Sequence, residues 1–330
     1  MVFNECYKLL LISLLLTLQI AIYQMHIEED FAGWFISTST LLTCFVVIIQ
    51  SLVSSKGLRL LLQELTEIDC SVGATFCVAP TRGAGSATLY ALYAVGLLRG
   101  IFRTALMVVL AVRPFWIALC LLAPSLIILV RINLQIYLMQ FIGLQLRAIL
   151  DELSSLTADA GADCELGSPI ENVQPEEARC AAVLQRTERV FGRLQKCLIR
   201  MNSLFGWSTA AIVVFSFVLI TFQLRYPLSP LPLYASLIDV LHAILFLFML
   251  CHASTVATSR VADIERALLK PSYRASFWDQ VNHFAVRIQL HPFEFTANGL
   301  YAINYGLFCS TLAASATYIV IMFQFDQKTP

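Results

Sequence analysis

Charge is what this sequence has least of. Asp, Glu, Lys and Arg together make up 13% of its 330 residues, about half the share of an ordinary soluble domain. Acids and bases cancel to a net charge of zero, so no global field draws the chain to nucleic acid, and any electrostatic bias has to be local. Its ten cysteines form no Cys-x-x-Cys pair, and none falls in the short segments assigned below to the outside. That argues against a disulfide framework and a structural zinc site and leaves buried or cytosolic thiols. No Asn-x-Ser/Thr sequon occurs to mark an outer loop. The five histidines, His26, His242, His252, His283 and His291, follow no metal-ligand spacing. There is no P-loop, dinucleotide fingerprint or nucleophile elbow. The expectation is a protein that is not an enzyme, with no cofactor and no metal.

In place of charge there is apolar surface. Residues AVILMFWYC account for 58% of the chain, more than a core of this size in water can use, so lipid is the solvent for most of the length. The expected class is an all-α membrane protein. Seven runs, 7–25, 33–52, 87–111, 115–139, 204–223, 233–254 and 298–325, each approach the ~20 residues that cross ~30 Å of hydrocarbon. Backbone groups in lipid have to be satisfied within the chain, so the runs are helices. The first has no small-x-small cleavage site and ends at the acidic segment His26-Ile27-Glu28-Glu29-Asp30, which reads as an uncleaved span rather than a signal peptide.

The linkers are unequal. Spans one and two, and three and four, are joined by a few residues, and Arg225 to Pro232, with three prolines, stops the helices of spans five and six. Residues 56–69 form an amphipathic helix. Residues 140–156 continue span four, 179–203 lead as a basic helix into span five, and 255–270 continue span six. Residues 158–178, polar with Gly, Pro and acids, read as a flexible loop. The organisation is a six-helix bundle over 1–254 with cytosolic linkers at 53–86 and 140–203, a cytosolic linker with helices at 255–297, and a terminal helix and tail at 298–330.

Orientation follows from Lys and Arg. With the N-terminus in the cytosol, only Arg113, Arg225 and Lys328 fall outside, and Arg99, Arg103 and Arg131 lie within spans; all the rest of the 22 are on the cytosolic side. The positive-inside rule therefore puts the N-terminus in and the C-terminus out. That excludes a G-protein-coupled receptor, whose N-terminus is outside, and neither Asp-Arg-Tyr nor Asn-Pro-x-x-Tyr is present.

Two places carry polar groups at a cost. On the last span, Thr317, Ile321, Gln324 and Lys328 follow the spacing of one helical face. An amide facing lipid costs a few kcal/mol, so Gln324 either lines a hydrated pore or snorkels to the interface, and spacing alone leaves both open. The second place is the pair of arginines on one face of span three, Arg99 and Arg103. At 1.5 Å per residue, Arg103 sits ~24 Å above the inner end of its span, and Asp239 ~9 Å below the outer end of span six, at a similar height. Asp239 is expected to face Arg103 or Arg99, with His242 one turn below, either as the polar edge of a ligand pocket or as an ion pair locking two spans. Arg131 is expected to snorkel from the inner end of span four. Trp34, Phe35, Trp116, Tyr234 and Phe246 line a pocket if they converge and otherwise mark the interface; Trp207 is an interface anchor. Arg186, Arg189, Arg193, Lys196 and Arg200 repeat at helical spacing and suit contact with anionic lipid.

The last span ends Thr317-Tyr318-Ile319-Val320-Ile321-Met322-Phe323-Gln324-Phe325. Thr-Tyr, five apolar residues and Gln-Phe resemble the terminal signature of the insect gustatory receptor family. Asn202-x-x-Phe205-Gly206 at span five, Phe295-x-Ala297-x-Gly299 before the last span, and the lengths and order of the linkers agree, so the resemblance runs from the first span to the C-terminus. It implies a ligand-gated cation channel in which four subunits, alike or related, surround one pore lined by the seventh helix. The first six spans then hold a ligand pocket open to the outside, and the cytosolic extensions of spans four to seven form an anchor region where subunits meet. It points to Ile321 and Gln324 as gate and pore lining beside Thr317, and to Tyr318 and Phe325 as packing residues. The partners implied are a small-molecule tastant, permeating cations and membrane lipid, with no nucleic acid, in the plasma membrane of chemosensory neurons. A bundle poor in Asp, Asn and Glu suits a bitter or aversive compound better than a sugar. The alternative is a transporter or an accessory subunit that conducts nothing. A transporter is expected to show two matching halves with interrupted helices, and no such repeat is visible.

Overall fold

The computed structural model describes residues 31–76, 86–109, 115–165, 173–224, 230–269 and 278–326. Within them lie eight helices: α1 (Phe31–Val53), α2 (Ser55–Phe76), α3 (Ser86–Val109), α4 (Phe115–Glu165), α5 (Val173–Gln223), α6 (Pro230–Leu268), α7 (Trp278–Leu290) and α8 (Tyr305–Asp326). The expected span at 7–25 lies outside the described residues. Five of the helices, α1, α4, α5, α6 and α8, contain a stretch long and apolar enough to cross a membrane, and α3 carries a shorter apolar stretch, Tyr93–Phe102.

The architecture is set by three helices that outrun the hydrocarbon. α4 and α5 have 51 residues each and α6 has 39, against the ~20 a bilayer needs. Their apolar segments pass without a break into amphipathic ones, and the extensions bundle together. The deepest core is there: Phe191 and Leu194 of α5, Ile142 and Leu146 of α4 and Ile264 of α6 are almost wholly buried. Two shorter helices close this bundle. α2 lays Leu61, Leu65 and Ile68 onto it and is pinned to α5 by Glu64–Arg200 at 2.6 Å and Glu67–Arg193 at 2.8 Å. The Arg200 guanidinium holds the Glu64 carboxyl below its ordinary value. α7 buries Val281, Phe284, Ala285 and Ile288, with Phe284 edge-on to Phe191 at 5.4 Å. α3 reaches α4 over glycines: a Cβ on Gly96 would lie 2.5 Å from Leu129 Cδ1, a close approach that small residues permit.

Two expectations need correction. Residues 158–178 are not a loop throughout, because α4 runs to Glu165 and α5 begins at Val173. The 173–178 stretch lacks an apolar stripe, but Pro175 falls in the first helical turn, where its missing N–H is not needed, and Glu176 and Glu177 suit a helix N-terminus. The last span does not start at 298. Residues 291–304 form a hairpin with a Thr296–Ala302 antiparallel bridge; Ala297 N donates to Tyr301 O at 3.0 Å and Ile303 N to Phe295 O at 2.8 Å. Asn298 (φ 53°) and Gly299 (φ 76°) make the turn in the left-handed region that Asn and Gly tolerate. α8 starts only after Asn304, whose Oδ1 accepts from Leu307 N at 3.1 Å as an N-cap.

Candidate functional site

α3 and α6 enclose a groove of about 380 Å³. Val95, Leu98, Arg99 and Phe102 line it from α3, and Ile238, Leu241, His242 and Leu245 from α6. At its edge Arg99 Nη1 lies 2.7 Å from Asp239 Oδ1. Of the two arginines expected to face Asp239, Arg99 does so, with Asp239 only 3% exposed; the side chain of Arg103 lies outside the described residues. His242 lies one turn along from Asp239, its ring edge-on to Phe246 at 4.4 Å. Its Nε2 is buried with no hydrogen-bond partner among the described residues. Among the described residues the groove is therefore an apolar trough with one ion pair and one imidazole nitrogen. It can take a small organic molecule by shape and apolar contact, and it has too few polar groups to read several hydroxyls. Arg103, Trp116 and Tyr234 fall on helical backbone, and their side chains lie outside the described residues, as does that of Trp34. Phe35 packs on Phe222 at 4.9 Å between ring centroids. Phe246 is a core residue, 4% exposed, not an interface aromatic, because α6 turns it inward between helices. Trp207 is exposed.

α8 is the second candidate region. Within its most apolar 18 residues only 11% are buried, against 67% in the corresponding stretch of α5. Its inner face is narrow: Thr311 and Ser315 are buried, and Leu312 packs with Leu219, Ile220, Val240 and Ala243 of α5 and α6. Thr317, Ile321 and Gln324 are exposed, and at 100° per residue they centre on the opposite side of the helix from Thr311 and Ser315. The Thr317 hydroxyl donates to Ala313 O at 2.9 Å. Tyr318 is set edge-on to Phe217 of α5 at 5.6 Å, a packing contact. The side chain of Phe325 lies outside the described residues.

Arg131 does not snorkel. It is 5% exposed and turns into the bundle, where Nε donates to Ser208 Oγ at 3.2 Å, Nη2 donates to the Leu204 carbonyl, and the guanidinium carbon stands 3.9 Å over the Phe205 ring. A desolvated arginine can be held this way by carbonyl, hydroxyl and π-face together. The sequence offered one hint, since Leu204 and Phe205 lie within the Asn202-x-x-Phe205-Gly206 pattern and Ser208 just after it, but nothing in it tied that pattern to Arg131.

Long apolar helices, a groove between two of them and a terminal helix with an outward polar stripe define a multi-pass membrane receptor fold. The family model described as 7tm Chemosensory receptor matches residues 6–329; the chain belongs to that family, which is not a family of enzymes. Among solved structures it is similar to the insect olfactory receptor OR5 from Machilis hrabei, with TM-score 0.75 and 14% identity over 98% of this chain and 90% of that one. It is likewise similar to the same receptor in complex with eugenol, with TM-score 0.69 and 14% identity over the same shares of both chains. No curated protein matches.

Proposed function

We propose that the chain is a gustatory receptor subunit that works as a tastant-gated, non-selective cation channel, with α8 lining the pore and the α3–α6 groove holding the ligand. The observation that carries the reading is the face of α8 bearing Thr317, Ile321 and Gln324. It is turned away from the chain's own bundle on the least buried of the apolar helices. Four copies around an axis give that face a partner: rings of Gln324 amides hydrate the conduit, and Ile321 one turn deeper closes it by dewetting. Asp326 is the only acid near that end, so selectivity among cations is loose. The N-terminus is cytosolic, the C-terminus extracellular, and the membrane is the plasma membrane of a chemosensory neuron.

The groove favours an apolar ligand of the bitter or aversive kind over a sugar, and the related receptor's complex with eugenol is consistent with a small organic ligand in this fold. Gating requires that the ligand bind the open state more tightly than the closed one. Gln324→Ala is expected to change unitary conductance or the Na⁺/K⁺ permeability ratio in whole-cell and single-channel recording, with surface expression intact. Conductance and selectivity indistinguishable from the parent would remove Gln324 from the pore. Calcium imaging of expressing cells against a panel of bitter compounds and sugars identifies the modality.

A further inference from the structure

Two turns of α5, residues 202–209, are held on two sides. On the first, Gln50 of α1 accepts from Ser208 N and donates to Ser203 O at 3.2 Å. Arg131 of α4 takes the Leu204 carbonyl and the Ser208 hydroxyl, and the Thr209 hydroxyl lies 2.9 Å from Gln135 Oε1 of α4. Leu204 O and Ser208 N form one rung of the helical ladder, and each has a side-chain partner from another helix. On the second side, the Asn202 amide donates to Glu294 O at 2.9 Å and accepts from Thr296 N at 3.1 Å, pairing with the hairpin as a strand would. One turn on, a Cβ on Gly206 would stand 2.5 Å from Asn298 N, so helix and hairpin backbones touch. The hairpin leads straight into the Asn304 cap of α8, and α6 secures its exit: the Ser254 hydroxyl donates to Ile303 O, and His252 Nδ1 lies 2.6 Å from the Tyr305 hydroxyl.

These contacts resist slippage. Gln50, Arg131, Gln135, Ser208 and Thr209 are all buried, so sliding α4 past α5 here strands a buried charge and several amide or hydroxyl groups without partners. The two helices therefore move together at this level. α4 is also the wall behind the groove, because Leu129, two residues from Arg131, packs on Gly96 of α3 beside the lining residue Val95.

We propose that Arg131 and Asn202 are positioning residues for α8. Arg131 ties α4 to one side of the 202–209 segment and Asn202 ties the other side of that segment to the hairpin, so that displacement of α4 beside the groove is delivered to hairpin 291–304 and through it to the base of the helix. The delivery to a gate rests on the channel reading of α8; the mechanical coupling of Arg131 to the hairpin does not.

The test is amide hydrogen exchange on the full-length protein in nanodiscs, read in peptides covering 291–304. Arg131→Met removes a side chain that touches no hairpin residue, yet exchange in the hairpin is expected to accelerate about fivefold, as it does when Asn202→Ala removes the direct bonds. Arg131→Lys, which keeps the charge and loses the fork geometry, is expected to act in the same direction and serves if the Met variant does not fold. Gln145→Ala, which breaks a different, partly buried bond of α4 to Asp69 at 2.8 Å, is expected to leave the hairpin at its parent rate. Parent-like exchange in the Arg131 variants, or equal acceleration by Gln145→Ala, overturns the clamp. Single-channel recording then tests delivery: basal open probability shifts in Arg131→Met and Asn202→Ala at constant unitary conductance, and the double variant departs from the product of the two. Unchanged open probability despite faster exchange overturns the gating role. A parent chain that passes no current counts against the channel reading, while the exchange result still decides the clamp.

Discussion

Asp239 and Arg99 show what a charge in this environment requires. With the carboxylate 3% exposed and the guanidinium 2.7 Å away, each gives the other a counter-charge where water is scarce. Removing one partner from a buried pair costs about 3–5 kcal/mol, whereas replacing both by apolar groups is often neutral. Asp239→Leu is therefore expected to lower the thermal midpoint of the purified protein sharply, and Arg99→Met with Asp239→Leu to recover more than half of the loss. If the double variant is no better than the single, the pair is not the unit that matters. The same pair separates two roles that the sequence left open. A double variant that is stable but has lost its response to ligand marks the pair as part of the pocket, and one that is stable and responsive marks it as a lock between α3 and α6. Intramembrane height matched Asp239 to Arg103, and the shared helical face brought in Arg99, so rise and period narrowed the partner of Asp239 to those two arginines. Arg131 was misplaced because its partners are a backbone carbonyl, a serine and a ring, none of which advertises itself as a counter-charge in a sequence.

Helix boundaries follow the same division. Apolar runs located α1, α3, α4, α5 and α6 because lipid demands length and hydrophobicity, and the basic amphipathic stretches marked where α4, α5 and α6 continue beyond them. The hairpin before α8 escaped because Asn298-Gly299 sits in a sequence that hydropathy reads as a continuation of the span. The Asn-Gly turn dipeptide and the capping Asn304 were the available signals. The hairpin's intimacy with α5 makes a sharp prediction about two glycines. Ala is better than Gly in a helix interior by about 1 kcal/mol. At Gly96 the new methyl meets the tips of Leu129, a side chain that can rotate, but at Gly206 it meets the backbone of Asn298. Overpacking against a fixed neighbour costs about 1–3 kcal/mol, which outweighs the propensity gain. Gly206→Ala is expected to lower the thermal midpoint by several degrees, at roughly 2–4 °C per kcal/mol, and Gly96→Ala to leave it within a degree or two. Equal midpoints would mean that the hairpin gives way without cost.

At the scale of the whole molecule, the chain divides into a well-packed bundle and a helix that the bundle scarcely holds. α4, α5 and α6 pack along one another and against α1, α2 and α7, while α8 rests on a strip of α5 and α6. A lone chain leaves the amide of Gln324 exposed on the face that carries Thr317 and Ile321, and the proposed assembly around a hydrated axis would give that amide water to bond to. The most direct measurement is cysteine accessibility along α8 in a Cys309→Ser background, with current recorded during application of a membrane-impermeant thiol reagent from the outside. Cysteines at 317, 321 and 324 are expected to react and block conduction, with 317 and 321 reacting faster once the channel is open, while cysteines at 311 and 315 stay inert. Inert cysteines at 317, 321 and 324, or block from 311 and 315 instead, would contradict a pore walled by this helix.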